Sequence, residues 1–317
     1  MGKKTSIIIV SVIAIAVFII LQRYPTDSLD SIDIRKPQIR RYVDFSITFQ
    51  LGYGTWYSSQ EDIPYYSQTV NAVVRNVGNM NADNVYIRAE FSGDEIYSST
   101  VDIPAGAVYS LNLVDIDIKY DSSGTLSLSA SCDEESEYST YTISAVFPRY
   151  EDVDILRLYI TPDHPKVIAL RNQIVQNSLI HWKSIRDWVG NNIKYEYDSN
   201  QFGKTEYWLL PWETIEKGQG DCEDQAILLC SLLRADGWDS DEVYVVCGLV
   251  NNGEAGHAWV CLKLTELLGK ELWINLEPTA GGIIDSEFSD LYSIINELSG
   301  STIRQLRFND INFKSFE

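Results

Sequence analysis

From Val43 to Phe147 the chain alternates. The stretches "VDFSITFQL", "SQTVNAVVRN", "NVYIRAEF", "VYSLNLVDIDI", "GTLSLSAS" and "STYTISAVF" place apolar residues at about every second position, the period of a half-buried strand. Between them "VGNMNADN", "IPAGA" and "YDSSG" supply Gly, Asn, Asp and Pro for turns. Strands at this spacing, with no helical pattern between them, predict an all-β immunoglobulin-like sandwich over residues 44–148.

After Pro148 the period lengthens. "KVIALRNQIV" and "LIHWKSIRDWVGNNI" repeat apolar residues at helical spacing, Ile180, Ile185, Trp188 and Val189 among them. "IKYEYD" reads as a short strand. "PWETIEKG" reads as a helix that starts after Pro211 and stops at Gly218. A nearly all-apolar helix follows from Cys222, then strands in "EVYVVCGLV", "GHAWVCLKL" and "ELWINLEPT", a late helix in "SDLYSIINELSG" and a final strand in "TIRQLRF". Helices first and antiparallel strands second predict an α+β domain over 149–317.

The amino terminus belongs to neither pattern. Residues 6–21, sixteen in a row, carry no charge; as a helix they span about 24 Å, slightly short of a bilayer core of roughly 30 Å. Lys3 and Lys4 on one side and Tyr24 on the other are residues that settle at membrane interfaces. A cleaved leader needs a small-residue site, and Gln22, Arg23, Tyr24 and Pro25 follow instead. Residues 1–24 are therefore expected to be an uncleaved transmembrane anchor and 25–43, with Pro25 and Pro37, a linker. Lys3 and Lys4 argue for an inside amino terminus, while Arg23, Arg35, Lys36, Arg40 and Arg41 flank the other side. The long acidic remainder favours an extracytoplasmic soluble part.

Charge narrows the partners. The formal net charge is −20, yet residues 1–43 carry 7 basic and 3 acidic side chains, so the rest is strongly acidic. Such a surface repels phosphate backbones, which argues against nucleic-acid binding. The five cysteines, Cys132, Cys222, Cys230, Cys247 and Cys261, form no short-spaced pair and no disulfide framework, although one bond from Cys132 stays open. A zinc site from Cys222, Cys230 and His257 lacks the paired spacing such sites use. "DSNQFGKTE" mimics part of a calcium loop through Asp198, Asn200 and Gly203, but Phe202 and Leu209 stand where ligands belong.

The chemistry centres on "KGQGDCEDQAILLCSLL". Asp221 is a good N-cap, and Asp224 can close a capping-box-like exchange. Cys222 then stands at the first helical position, where unpaired amides and the helix dipole favour a thiolate. Glu223 and Asp224 oppose this, less so if they face water. Of three histidines, His164 lies between prolines at a helix start, His181 on an amphipathic helix, and His257 at the start of a strand. A hairpin centred on Leu267 pairs Lys263 with Glu271, Cys261 with Trp273, Trp259 with Asn275 and His257 with Glu277. One face then holds only apolar residues, from Ala258, Val260 and Leu262 to Ile274 and Leu276; the other, away from the core, brings a carboxylate to an imidazole. Cys222, His257 and Glu277 are thus the candidate catalytic set, as in any Cys-His-acid triad. Taken singly, each has an ordinary structural explanation; together with a helix-tip thiol they form a constellation.

Two resemblances follow. "VVRNVGNMNADNVYIRAEF" resembles the hairpin of bacterial and archaeal adhesion-like sandwich modules, which implies a spacer or a binding module. "PWETIEKGQGDCEDQAILLCSLLRADGW", "GHAWVCLKL" and "WINLEPT", led in by "IRDWVGNNIKYEYD", resemble the core of the transglutaminase-like superfamily, a papain-like fold, over roughly Pro148 to Thr279. The resemblance implies Cys222 as nucleophile, His257 as general base and Glu277 as third member, where the family more often has aspartate. It implies attack on a peptide or isopeptide bond through a thioacyl enzyme, released by water or by an amine, with hydrolysis favoured. No cofactor or metal is expected. The Cys222 amide is an expected oxyanion donor, with Gln219 or Trp208 as the second; Trp208, Trp212 and Tyr207 are candidates to line the cleft. The expected substrate is a protein or peptide. A cross-linking acyltransferase, or a membrane-tethered scaffold with a vestigial triad, is the alternative.

Overall fold

The computed structural model describes residues 40–150, 153–250, 255–267, 270–279, 292–295 and 304–316. The expected anchor at 6–21 and nearly all of the linker lie outside these residues. Among the described residues no helix is long and apolar enough to cross a membrane.

Seven antiparallel strands form two sheets. β1 (Phe45–Ser58), β2 (Pro64–Asn76) and β5 (Val108–Lys119) make one, in the order β1-β2-β5. β3 (Ala82–Phe91), β4 (Asp94–Ile103), β6 (Ser122–Ser131) and β7 (Ser136–Ala145) make the other, in the order β4-β3-β6-β7. The inward positions of the alternating pattern fill the space between them: Val70, Ala72 and Val74 share a core with Val85, Ile87 and Ala89, and with Leu126 and Leu128. In β5 the alternation skips a beat, with Leu111 and Leu113 buried, then Ile116 and Ile118. A register shift opposite Gln68 and Val70 absorbs the extra residue, and Asp115 takes a left-handed φ of 55° there.

The second part surrounds a helix. α1 (Pro165–Val175), α2 (His181–Asn192), the one-turn α3 (Asp198–Gln201) and α4 (Pro211–Lys217) precede α5 (Cys222–Ala235). Between these helices, β8 (Lys194–Tyr195) and β9 (Gln219–Gly220) form a short parallel pair. The sheet after α5 runs β13-β12-β11-β10-β14-β15, antiparallel throughout, from β10 (Val243–Val250), β11 (Ala255–Leu267), β12 (Lys270–Leu276), β13 (Tyr292–Ile295), β14 (Arg304–Phe308) and β15 (Phe313–Ser315). Every residue of α5 from Glu223 to Leu233 is buried. Its body shares a core with Val243, Val245, Val260, Leu262, Ile274 and Leu276 of the sheet. A helix apolar nearly all round is stable only when sheet and neighbouring helices enclose it.

Four expectations change. β4 has no counterpart among the expected strands, and the described residues of the expected late helix, Tyr292–Ile295, are strand β13, paired with Trp273 to Leu276 of β12. The hairpin register is two residues away from the expected one: Lys263 faces Trp273, Cys261 faces Asn275 and Val260 faces Leu276, with an irregularity between Lys263 and Thr265. A two-residue shift leaves each side chain on its own face, so Ala258, Val260, Leu262, Ile274 and Leu276 stay together and buried. The opposite face is not solvated either: His257, Trp259, Cys261, Trp273, Asn275 and Glu277 are all buried.

The sandwich joins the second part through specific polar contacts. Arg149 bridges Asp121, beside β6, and Glu213 on α4. Trp212 of α4 donates from Nε1 to the Tyr120 hydroxyl at 3.1 Å, and Asp62 accepts from the Asp163 amide at 2.5 Å.

Candidate active site

The two glycines before the cysteine do different work. Gly218 ends α4 at φ 62°, the left-handed conformation that glycine adopts without strain. Gln219 follows and with Gly220 makes β9, which lies parallel to β8. Gly220 is needed for space, since a Cβ there would lie 2.6 Å from the Asp224 Cβ. The chain then turns at Asp221, whose backbone is extended and whose carbonyl accepts from the Gln225 amide at 3.2 Å, and Cys222 opens α5.

The expected side-chain cap is absent: Asp221 makes no cap bond to the helix. Asp224 faces backward, where its Oδ1 accepts from the Leu209 amide at 2.7 Å. Gln225 ties the same region down, donating from Nε2 to the carbonyls of Ile193 at 3.3 Å and Gly220 at 3.2 Å. The acids flanking Cys222 are therefore inside the protein, with Asp221, Glu223 and Asp224 all buried. Their effect on the thiol is strong. Burial, then the charges of Glu223 and Asp221, push its pKa well above the usual range, and the thiol donates to Glu223 Oε2 at 3.1 Å. Burial and the neighbouring carboxylates thus favour the protonated thiol over the thiolate.

The carboxyls are raised as well. Burial, then the charge of Asp221, lifts Asp198 to about 7; burial lifts Asp221 to about 6; burial, then Asp221 and Asp224, raises Glu223. Removing a carboxylate from water without a counter-charge favours its neutral form.

Across the cleft, β11 carries His257 opposite Gly248 of β10. Its Nε2 meets Glu277 Oε2 at 2.6 Å, although the two are offset in the ladder rather than directly opposed. Glu277 Oε1 accepts twice from Thr279, from the amide at 2.8 Å and from Oγ1 at 2.5 Å. The Trp259 ring stacks near the imidazole at 6.1 Å and donates from Nε1 to Asn275 Oδ1 at 3.2 Å. The Ala258 amide, next in the chain after His257, reaches the Cys222 sulfur. Cys222 and His257 line one cleft of about 270 Å³, with Glu206, Trp208, Glu223, Gly248 and Gln305 among its walls.

The other sequence candidates divide. Trp208 lies in this cleft and is buried, with no hydrogen-bond partner for its indole N–H. Gln219 does not line the cleft and bonds Gln201 Oε1 at 3.0 Å. Trp212 stacks on His164 at 4.0 Å, against the sandwich. Tyr207 packs on Phe202 and under Arg149. Cys230 is buried in the core of α5, and none of the five cysteines is in a disulfide. Thr279 is missing from the sequence-derived set, although "LEPT" places a hydroxyl two residues beyond the carboxylate. Trp259 and Asn275 enter that set only as a ladder pair, and their bond beside the imidazole emerges from the fold.

Residues 169–278 match the family model described as the transglutaminase-like superfamily. No curated protein matches the chain. Among solved structures, LapG of Legionella pneumophila is similar at 19% identity and TM-score 0.30, over 47% of this chain and 87% of that one. The CARDB domain of a Pyrococcus furiosus protein is similar at 10% identity and TM-score 0.26, over 34% of this chain and 98% of that one. The exo-chitosanase CsxA of Amycolatopsis orientalis is similar at 14% identity and TM-score 0.24, over 31% of this chain and 13% of that one.

Proposed function

We propose that this chain is a membrane-anchored cysteine hydrolase acting on peptide or isopeptide bonds, with Cys222 as nucleophile, His257 as general base and Glu277 as the carboxylate behind the base. The observation that carries the reading is the His257–Glu277 hydrogen bond of 2.6 Å beside a cleft that also contains Cys222. A matching superfamily domain over 169–278 supports it.

Each residue has a chemical task. With Nε2 committed to Glu277, His257 exchanges protons with substrate and thiol through Nδ1. Because the resting thiol is neutral, its proton passes to His257 as the sulfur attacks the carbonyl carbon, and Glu277 steadies the imidazolium that results. The tetrahedral oxyanion is met by the Cys222 amide and by the Trp208 indole; what supports Trp208 over Gln219 is its unpartnered N–H in the cleft. As the C–N bond breaks, the leaving amine takes the proton from His257. Water then attacks the thioester, giving its proton to His257, and the carboxylic acid leaves as the thiol is restored. An amine in place of that water gives transamidation. Residues 6–21 hold the protein in the membrane, with the soluble part outside the cytoplasm; sixteen consecutive uncharged residues support this.

The test is hydrolysis of a peptide and isopeptide library by the full chain. The reading expects cleavage that Cys222→Ala abolishes. Cleavage equal in the variant contradicts it.

A further inference from the structure

The sandwich is not closed on every side. β1 and β7 are outer strands of the two sheets and meet where the Phe49 and Tyr141 rings lie 5.9 Å apart. Beside that contact a cleft of about 430 Å³ opens, walled by Leu51, Trp56, Tyr66 and Gln68 on one side and by Tyr141 to Val146 on the other. Leu51 pairs with buried Val70, so it shares the inward face, yet it is 44% exposed. We propose that the outer edge of β7 is a docking surface for an extended segment of another protein, which adds as a fifth strand to the sheet β4-β3-β6-β7. The segment it fits has alternating apolar residues and a basic carboxyl-terminal end.

An open edge by itself is ordinary, and proteins blunt such edges with charge, proline or irregular register. The other outer strands of the sandwich are blunted. β4 carries Asp94, Glu95 and Asp102, and its register with β3 shifts twice. β5 carries Asp115, Asp117 and Lys119 and shifts against β2, while β1 shifts between Leu51 and Gly54. β7 has none of these devices over most of its length. It pairs with β6 in unbroken register from Ser136 to Ala145, and the chain from Tyr138 to Phe147 has no charge and no proline. Among the described residues no strand covers its outer side. Alternate residues of an antiparallel strand turn both N–H and C=O to that side, a ladder that another extended backbone satisfies.

Charge at one end of the edge selects the occupant. Asp133, Glu134, Glu135 and Glu137 stand at the start of β7, and no Lys or Arg occurs from Tyr120 to Pro148. Antiparallel addition is the more stable kind and the one this sheet already uses. It brings the carboxyl-terminal end of the incoming segment to these acids, where basic residues are attracted. Every second side chain of that segment faces the cleft, where Leu51, Trp56 and Tyr66 offer apolar and aromatic contact. A second copy of β7 fits less well. It would lay the uncharged stretch from Ala145 to Pro148 beside the acids, and it would bring together two chains of net charge −20.

This surface stands whether or not Cys222 is a nucleophile, and its test needs no turnover. The full chain is titrated with a short fluorescent peptide of alternating threonine and valine that ends in lysines, and binding is read by anisotropy. The proposal expects saturable binding that slows hydrogen exchange across residues 136–146. N-methylation of alternate peptide residues should abolish binding in one phase and spare it in the other, because only one set of amides faces β7. Moving the lysines to the amino end should weaken binding by about tenfold, and so should Asp133→Lys combined with Glu134→Lys, both exposed in the free chain. Absence of binding at millimolar peptide overturns the proposal. Bound peptide without protection of 136–146 overturns the location, and equal binding of both N-methylated peptides overturns strand addition. Equal affinity for both lysine placements overturns the assigned polarity. A wild-type chain already dimeric, with 136–146 protected before peptide is added, overturns the partner in favour of a second copy.

Discussion

His257 Nε2 and Glu277 Oε2 lie 2.6 Å apart, and their side chains are 2% and 0% exposed. The carboxylate is fixed from behind as well, because Thr279 supplies two hydrogen bonds to its other oxygen. An imidazole held this way has one ring nitrogen committed to the carboxylate, which fixes the orientation of the ring at the cleft that His257 lines.

Glu277→Gln keeps the side chain's size and removes its charge. It is expected to lower kcat by up to about 10⁴-fold, the drop seen when a triad carboxylate is replaced by its amide. Steady-state hydrolysis with circular dichroism on the same preparation checks this. An unchanged fold with unchanged kcat contradicts the role.

Thr279 separates positioning from packing. Thr279→Val removes the hydroxyl bond to a buried carboxylate and should cost about 1.5–3 kcal/mol in urea unfolding. Thr279→Ser retains the hydroxyl and should restore most of both stability and kcat.

The two glycines ahead of Cys222 should respond differently to alanine. At Gly218 nothing crowds a Cβ, so only the left-handed φ is penalised, by about 1 kcal/mol. At Gly220 the new methyl meets the Asp224 Cβ, which should cost about 1–3 kcal/mol and displace the start of α5. Denaturant midpoints should therefore fall in both variants, while kcat falls only in Gly220→Ala.

His164 makes stability depend on pH. Burial, then Lys166 and Lys119, lower its pKa from 6.5 to about 4. The folded state thus binds a proton less readily than the unfolded state. The stability this histidine contributes is complete above pH 6.5 and declines as pH falls from there to about 4. His164→Asn keeps a side-chain acceptor for the Lys166 amide that His164 now caps. The difference between wild-type and variant denaturant midpoints should shrink across this window. A difference independent of pH contradicts the account.

Much of this was legible in the sequence because alternation and helical spacing are one-dimensional. The strands around Val70, Ile87 and Leu126 declare themselves by their inward residues. β4 does not: its inward-leaning positions are Tyr97, Ser99 and Val101, only half-buried on an edge strand, so the apolar signal is diluted. "SDLYSIINELSG" carries apolar residues at three- and four-residue spacing, yet pairing with β12 makes part of it a strand, a tertiary choice that local pattern does not contain. Cys222, His257 and Glu277 could be grouped because face parity survives a register error of two residues. The buried state of Asp221, Glu223 and Asp224 was hidden, since it depends on a distant partner, the Leu209 amide, and on the side chain of Asp198.

The central claim is that Cys222 attacks a carbonyl with the help of His257, and trapping the acyl enzyme tests it most directly. The full chain is exposed to an activated acyl ester at neutral pH, quenched in acid and analysed by intact mass and peptide mapping. The account predicts one acyl group, on Cys222, absent from Cys222→Ala and formed at least about 100-fold more slowly by His257→Ala. Acylation that spares Cys222, or that proceeds as fast without the imidazole, contradicts it.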